Sequence, residues 1–120
     1  MGFRRYLAQR SHNILAIAAS IFALSATPAI AQGPGWTANS TVKKIVVTAN
    51  GGINVQLSPE LTGCVSQSGY GANFASVYPS HVGINRIKAD LLVAYLNGGT
   101  VALYLSDSSC TVVEMILGGW

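Results

Sequence analysis

Charge is scarce in this sequence, since charged side chains make up only 9% of its 120 residues. Three of the seven basic residues lie within the first ten positions, and the four that follow balance the four acidic residues, so residues 32–120 have a formal net charge of zero. A nucleic-acid groove needs clustered Lys and Arg, and beyond the start the chain offers one adjacent pair, Lys43-Lys44. We therefore expect no nucleic-acid partner. A charge-poor surface with weak self-repulsion favours self-association.

Long apolar runs are also missing. The run ILAIAASIFAL at residues 14–24 is shorter than the about 20 residues that a transmembrane helix needs. It follows a basic start and precedes Pro28 and the small-residue ending Ala29-Ile30-Ala31, which together are typical of a cleavable signal peptide. We predict a signal peptide at residues 1–31, removed before Gln32, and no membrane span afterwards. An uncleaved anchor is the alternative, and general secretion is favoured over the twin-arginine route that Arg4-Arg5 suggests. The product is expected in the periplasm or the extracellular medium.

Cysteine and histidine are too scarce for a metal centre. After the signal peptide there are two cysteines, Cys64 and Cys110, and one histidine, His81. Paired thiols persist in exported proteins, so a Cys64–Cys110 disulfide is the default prediction, with a metal site or two free thiols as alternatives. No GxSxG motif surrounds a serine, and the acidic residues lie on separate predicted elements. The sequence therefore predicts no metal, no cofactor and no enzymatic activity.

The remaining residues predict one small β domain with one helix. Residues 32–40 are rich in turn formers and predict a flexible leader, and residues 41–120 form a single disulfide-closed domain. The β-branched segment 41–50, the turn Asn50-Gly51-Gly52 and the strictly alternating segment 53–57 predict a hairpin with Ile53, Val55 and Leu57 inside. The two amides between them, Asn54 and Gln56, are expected to face outward.

The second half of the domain predicts a short strand, a helix and two further strands. The strands are expected at residues 74–78, 100–106 and 111–117. Apolar residues at three- and four-residue steps, including Leu91, Leu92 and Tyr95, predict an amphipathic helix over 83–97, ended by Asn97-Gly98-Gly99. The order is β-β-β-α-β-β. Because one helix cannot cover both faces of such a sheet, we expect a mostly β, partly closed small barrel with the helix filling one side.

A polar, aromatic loop before the helix is the one candidate binding surface. It contains Tyr70, Asn73, Phe74 and Tyr78, which combine flat apolar rings with an amide. This mixture suits a glycan or a protein partner. The alternative is that Phe74 and Tyr78 simply fill the barrel. Lys43-Lys44 on the first strand is typical of a pair that protects a sheet edge.

The segments YGANFASVY, LLVAYLNGG and TVALYLSD resemble the corresponding parts of subtilase-cytotoxin-type B subunits of AB5 toxins. The same layout, with one cysteine before the helix and one after the next strand, also resembles small exported bacterial proteins of unknown role. The toxin resemblance implies a small OB-like barrel with one helix, glycan binding and a pentameric ring. Together these observations predict an exported, non-catalytic binding module for a glycan or protein ligand, with a homo-oligomer as a further expectation. A structural or inhibitory envelope protein that binds one protein is the second hypothesis.

Overall fold

A computed structural model describes residues 32–120, so the predicted signal peptide at 1–31 lies outside the described residues. The described part contains six strands and one α-helix in the order β-β-β-β-α-β-β, with a short 3-10 turn at Gln67–Gly69 before the fourth strand. The elements are β1 (Gly35–Trp36), β2 (Ser40–Val47), β3 (Ile53–Ser58), β4 (Phe74–Val77), α1 (Ile84–Asn97), β5 (Thr100–Leu105) and β6 (Val112–Leu117). Each predicted strand and the helix is present, with ends that differ from the predictions by up to three residues.

One curled antiparallel sheet contains all six strands. The neighbours run β4-β3-β2-β5-β6, and β1 pairs with the far end of β5. The two outer strands approach each other where Ser76 of β4 forms a parallel bridge with Thr111, just before β6. The sheet is thus a small, partly closed barrel, and α1 connects its third and fourth main strands as in an OB-like fold. The prediction of a mostly β, OB-like barrel with one helix is confirmed.

The hairpin between β2 and β3 follows from its turn residues. The Thr48 N–H donates to Gly52 O at 2.9 Å, and the Gly51 N–H donates to Thr48 O at 2.9 Å. Gly51 has a φ of 85°, which is left-handed and favours glycine. The turn begins at Thr48, so β2 ends at Val47 and not at Asn50.

Strand β3 is buried on both of its faces. Ile53, Val55 and Leu57 lie in the barrel core, as predicted. Asn54 and Gln56 were expected to face outward into solvent, and this is wrong, since both are buried. Their face of the sheet is covered by the long β3–β4 connection, which places Gln67 over Asn54.

A cluster of buried polar side chains fixes this connection to the sheet. The Gln67 Nε2 donates to Ile53 O at 3.2 Å and to Val77 O at 3.0 Å, which joins β3 to β4. The Gln67 N–H contacts Asn54 Oδ1 at 3.2 Å, and Ser76 Oγ donates to that oxygen at 2.8 Å. Every partner is itself buried, so these hydrogen bonds are costly to leave unmade. Periodicity alone could not reveal a loop that closes over a strand face.

Helix α1 fills one side of the barrel with a narrower apolar face than the sequence suggested. Ile87, Leu91 and Ala94 are buried, and the helix packs on β2, β5 and β6. Leu92 and Tyr95 were expected on this buried face, but they remain 48% and 50% exposed. At 100° per residue they lie on the flank of the buried stripe, towards Lys88, because 3.6 residues complete each turn. Gly98 ends the helix with a φ of 64°, as predicted.

The segment 32–40 differs from its prediction as a flexible leader. It contains β1, which pairs with β5, and Thr37 exchanges hydrogen bonds with Leu103 through its N–H and its hydroxyl. The ring of Trp36 contacts the rings of Tyr104 and Trp120 edge-on, with centroids 5.2 Å and 5.3 Å apart respectively. A turn-rich composition predicted mobility, but strand pairing and ring contacts hold this segment on the barrel.

The disulfide is present as predicted. Cys64 and Cys110 are joined with Cα atoms 5.1 Å apart. Cys64 lies in the connection that covers β3, and Cys110 lies just before β6. The Ser76 N–H donates to Cys110 O at 2.9 Å, so the bond is placed where the two outer strands of the barrel meet.

Candidate functional site

The predicted aromatic binding residues do not form a single surface. Tyr70 and Phe74 are in edge-to-face contact, with ring centroids 6.1 Å apart. Phe74 is buried and Tyr70 is exposed, so this pair offers solvent one ring. Tyr78 is four residues beyond Phe74, about 13 Å along an extended chain at about 3.3 Å per residue. Asn73 stays near the pair, with its Oδ1 beside Gly71. The structure therefore brings together Tyr70, Asn73 and Phe74, and their role in binding stays a prediction.

A different feature, the outer edge of β2, has no strand beside it. One edge of β2 pairs with β3 from Thr41 to Val47. On the other edge, β5 pairs only with Ser40 and Thr41, because β5 begins at Thr100. From Lys43 to Val47, this second edge is uncovered by any strand of the described chain. An open edge presents unpaired N–H and C=O groups to which another chain can bind.

The hairpin register shows which residues present these groups. Thr48 donates its N–H to Gly52, and paired residues of antiparallel strands alternate between hydrogen-bonded and non-hydrogen-bonded positions. Val46 opposite Asn54 and Lys44 opposite Gln56 are therefore bonded to β3. Ile45 and Val47 direct their N–H and C=O groups the other way, towards the open edge. Four backbone groups are thus available for a short added strand.

Helix α1 forms a second wall beside this edge. The groove between them has a volume of about 440 Å³. It is lined by Lys44, Ile45, Val46 and Val47 from β2 and by Lys88, Leu92 and Tyr95 from α1. Val47, Leu92 and Tyr95 are each about half exposed, so they offer apolar surface that is only partly covered by the protein itself. An edge of free backbone groups and an apolar wall therefore face the same groove.

The groove carries positive charge from both sides. Lys44 and Lys88 line it and no carboxylate does. Within residues 32–120, the one salt bridge joins Lys43 to Glu60 at 3.4 Å, and it is exposed. Lys44 and Lys88 are thus free to contact an approaching negative charge, although such surface contacts contribute little energy individually.

The single histidine of residues 32–120 takes part in the fold. His81 uses both ring nitrogens in the fold, since Nδ1 accepts the Gly83 N–H at 2.9 Å and Nε2 contacts Val113 O at 2.8 Å. No group of three potential metal ligands occurs in residues 32–120. The groove itself offers backbone hydrogen-bonding groups, apolar side chains and two lysines.

The sequence contained a weak signal for this groove. The segment Ile45-Val46-Val47 ends β2 with three consecutive apolar residues, and two of them are not needed in the core. Leu92 and Tyr95 are likewise apolar residues at the flank of the helix stripe. Hydropathy alone does not predict the groove, because it cannot tell where β5 begins relative to β2. The edge of β2 is open because β5 begins opposite Thr41 and does not extend along the rest of β2.

Two further findings concern features beyond the groove. No α-helix within residues 32–120 is both long and apolar enough to cross a membrane. Comparison of the chain with protein-family models, with curated proteins and with solved structures finds no significant match.

Proposed function

We propose that this chain is an exported, non-catalytic binding module that holds an extended segment of a partner protein as an added strand on β2. The observation that carries the proposal is the open edge of β2, where Ile45 and Val47 direct backbone groups into the groove beside α1. In recognition by strand addition, main-chain hydrogen bonds supply affinity and side-chain pockets supply specificity. The disulfide supports the exported part of the proposal, because such bonds persist in oxidising compartments.

The edge has the features of a controlled binding site. Proteins blunt unwanted edge pairing with short edges, lysines and neighbouring helices. Here the open edge is about five residues long, it carries Lys44, and α1 restricts access from one side. These features disfavour indiscriminate strand pairing and leave room for a segment that matches both walls.

A protein partner is better supported than a glycan. The outer face of β3 and β4, where OB-like barrels commonly bind oligosaccharides, is covered by Gln67 and its hydrogen-bonded neighbours. Tyr70 is the one well-exposed ring of the Tyr70–Phe74 pair. A free backbone edge recognises amide groups, which a polypeptide supplies at every residue. Assembly into a homo-oligomeric ring stays a prediction.

Two proline variants test the proposal. In Val47→Pro the lost N–H belongs to the open edge, whereas in Val46→Pro it belongs to the ladder with β3. We expect Val47→Pro to keep the fold and Val46→Pro to lower the melting temperature by roughly 5 °C or more, because a ladder bond is lost. The probe is a short end-blocked peptide that alternates Val with Glu, with analogues that alternate Val with Gln or with Lys.

Binding is measured by fluorescence polarisation, and hydrogen exchange follows the amides of Ile45 and Val47. In the free protein these two amides are expected to exchange faster than those of Lys44 and Val46. A bound peptide should slow both, and Val47→Pro should weaken that peptide. The proposal is wrong if none of the three peptides protects Ile45 and Val47, or if Val47→Pro binds as the unchanged protein does.

A further inference from the structure

The charge of the groove indicates what kind of segment it selects, provided that the proposed function is right. Its two lysines come from different elements, Lys44 from β2 and Lys88 from α1. No carboxylate lines the groove, and the one carboxylate that pairs with a lysine in residues 32–120, Glu60, pairs with Lys43 outside it. A positive groove repels basic segments and attracts acidic ones, which is a means of specificity as well as attraction.

The alternation of β2 determines where the negative charges would lie. Successive side chains of a strand point to opposite faces, so Lys44 and Val46 share one face and Ile45 and Val47 share the other. Ile45 packs against the core that α1 covers, so its face is the one beside Leu92 and Tyr95. A strand added to this edge has the same two faces, with neighbouring side chains about 5 Å from those of β2.

We propose that the partner segment is acidic and alternating, with carboxylates on the face of Lys44 and apolar side chains on the face of Leu92 and Tyr95. Lys88 lies one helical turn before Leu92 on the α1 wall, so its positive charge adds to the attraction for an acidic segment without directly facing one of its carboxylates. The partner is thus recognised by a period of two in its sequence, apolar and acidic in turn.

A second copy of this chain fits the groove less well. If two copies joined through the same edge of β2, two-fold symmetry would place the Lys44 side chains of both copies on the same face of the combined sheet. Like charges facing each other across paired strands are destabilising. The exposed β2 edge of another copy also brings no carboxylate of its own, since the acidic residues of the described chain lie outside residues 40–47. An acidic segment of a different protein is therefore favoured.

The peptides that alternate Val with Glu, Gln or Lys test this inference at low ionic strength. We expect the Glu peptide to bind up to about fivefold more tightly than the Gln peptide, which corresponds to one exposed ion pair with Lys44 of up to about 1 kcal/mol, and we expect the Lys peptide to bind most weakly. The difference should shrink as salt is added, because exposed charges are screened.

A double variant, Lys44→Glu/Lys88→Glu, should reverse the order, so that the Lys peptide binds best. The matched control is Lys43→Glu/Arg86→Glu, which makes the same change of charge on the same strand and helix outside the groove lining. Thermal melts check that both variants fold. The control should keep the preference for the Glu peptide.

The outcomes separate the two proposals. If the three peptides bind equally, or if both double variants alter the order alike, the groove does not select acidic segments, while strand addition itself still stands. If no peptide protects Ile45 and Val47, strand addition is wrong and the inference fails with it. A shift of the protein to a dimer with protected Ile45 and Val47 amides in the absence of peptide would show that a second copy occupies the groove.

Discussion

At the scale of single residues, Gly52 is a position where the effect of one added carbon can be predicted from its surroundings. A Cβ at Gly52 would overlap Gln67 Oε1, so Gly52→Ala must displace that side chain. Gln67 is buried, and its amide makes hydrogen bonds with Ile53 O, Val77 O and Asn50 Nδ2. Moving it leaves buried groups unpaired at about 1–3 kcal/mol each.

We therefore expect Gly52→Ala to lower the melting temperature by about 8 °C or more, since about 1 kcal/mol corresponds to roughly 4–8 °C in a domain of this size. Gly33→Ala is the matched control, because no atom lies within 4 Å of its added Cβ. The buried position of Gln67 is contradicted if the two variants melt at the same temperature.

At the scale of elements, the connection between β5 and β6 depends on one carboxylate. Asp107 accepts the N–H groups of Ser109 and Thr111 at 3.0 and 3.1 Å and the Thr111 hydroxyl at 2.8 Å. Partial desolvation raises the pKa of Asp107, but the three hydrogen bonds lower the pKa by a larger amount. The pKa of Asp107 therefore lies below its ordinary value of 3.8. The ionised carboxylate is thus favoured in the folded protein.

The stability that Asp107 contributes to the folded protein depends on pH. With a folded-state pKa below the unfolded one, the stabilisation by Asp107 is complete above the unfolded pKa and is lost as pH falls through the folded pKa. Asp107→Ala should melt a few degrees below the unchanged protein near neutral pH. This difference in melting temperature should narrow as the pH falls below about 3.8 and disappear below the folded-state pKa. Glu114→Ala, whose carboxylate makes no hydrogen bond to residues 32–120 in the structure, is the control. A gap that persists in strong acid contradicts this role.

The elements also show what the sequence could and could not predict. Ile53, Val55 and Leu57 point inward because strict alternation fixes one face of a strand, and Gly98 ends the helix because it adopts a left-handed φ. Both are local properties. The burial of Asn54 depends on a loop that folds back over it, and the open edge of β2 depends on where β5 begins. Both depend on how segments far apart in the sequence pack together, and hydropathy and turn residues do not predict that packing.

The same limit applies to the candidate site. The sequence suggested Tyr70, Asn73, Phe74 and Tyr78 because aromatic and amide groups cluster in one segment. The groove instead joins Lys44 with Lys88, and their separation along the chain hides the relation. The cysteine pair was predictable over an even longer separation because only two cysteines were available to pair.

At the scale of the whole molecule, the disulfide closes the barrel where its two outer strands, β4 and β6, meet. Within residues 32–120, the backbone pairing that joins β4 to the start of β6 is the bridge from Ser76 to Thr111, together with the hydrogen bond from the Ser76 N–H to Cys110 O. Cys64 also holds the connection that covers β3, since its N–H donates to Ala72 O at 2.9 Å. The 46-residue separation of the cysteines implies a stabilisation of about 4 kcal/mol through reduced entropy of the unfolded chain.

That amount is a large fraction of the stability expected for a domain of about 90 residues, which buries only about two-thirds of its unfolded surface. Reduction, or the double variant Cys64→Ala/Cys110→Ala, should therefore lower the melting temperature by about 15 °C or more. The Gln67 amide should then exchange faster, because the connection above Asn54 loses its covalent attachment. A reducing agent should leave the double variant unaffected. If the reduced protein melts within a few degrees of the oxidised one, the barrel does not depend on this bond, and β4 and β6 must be held together by their packing alone.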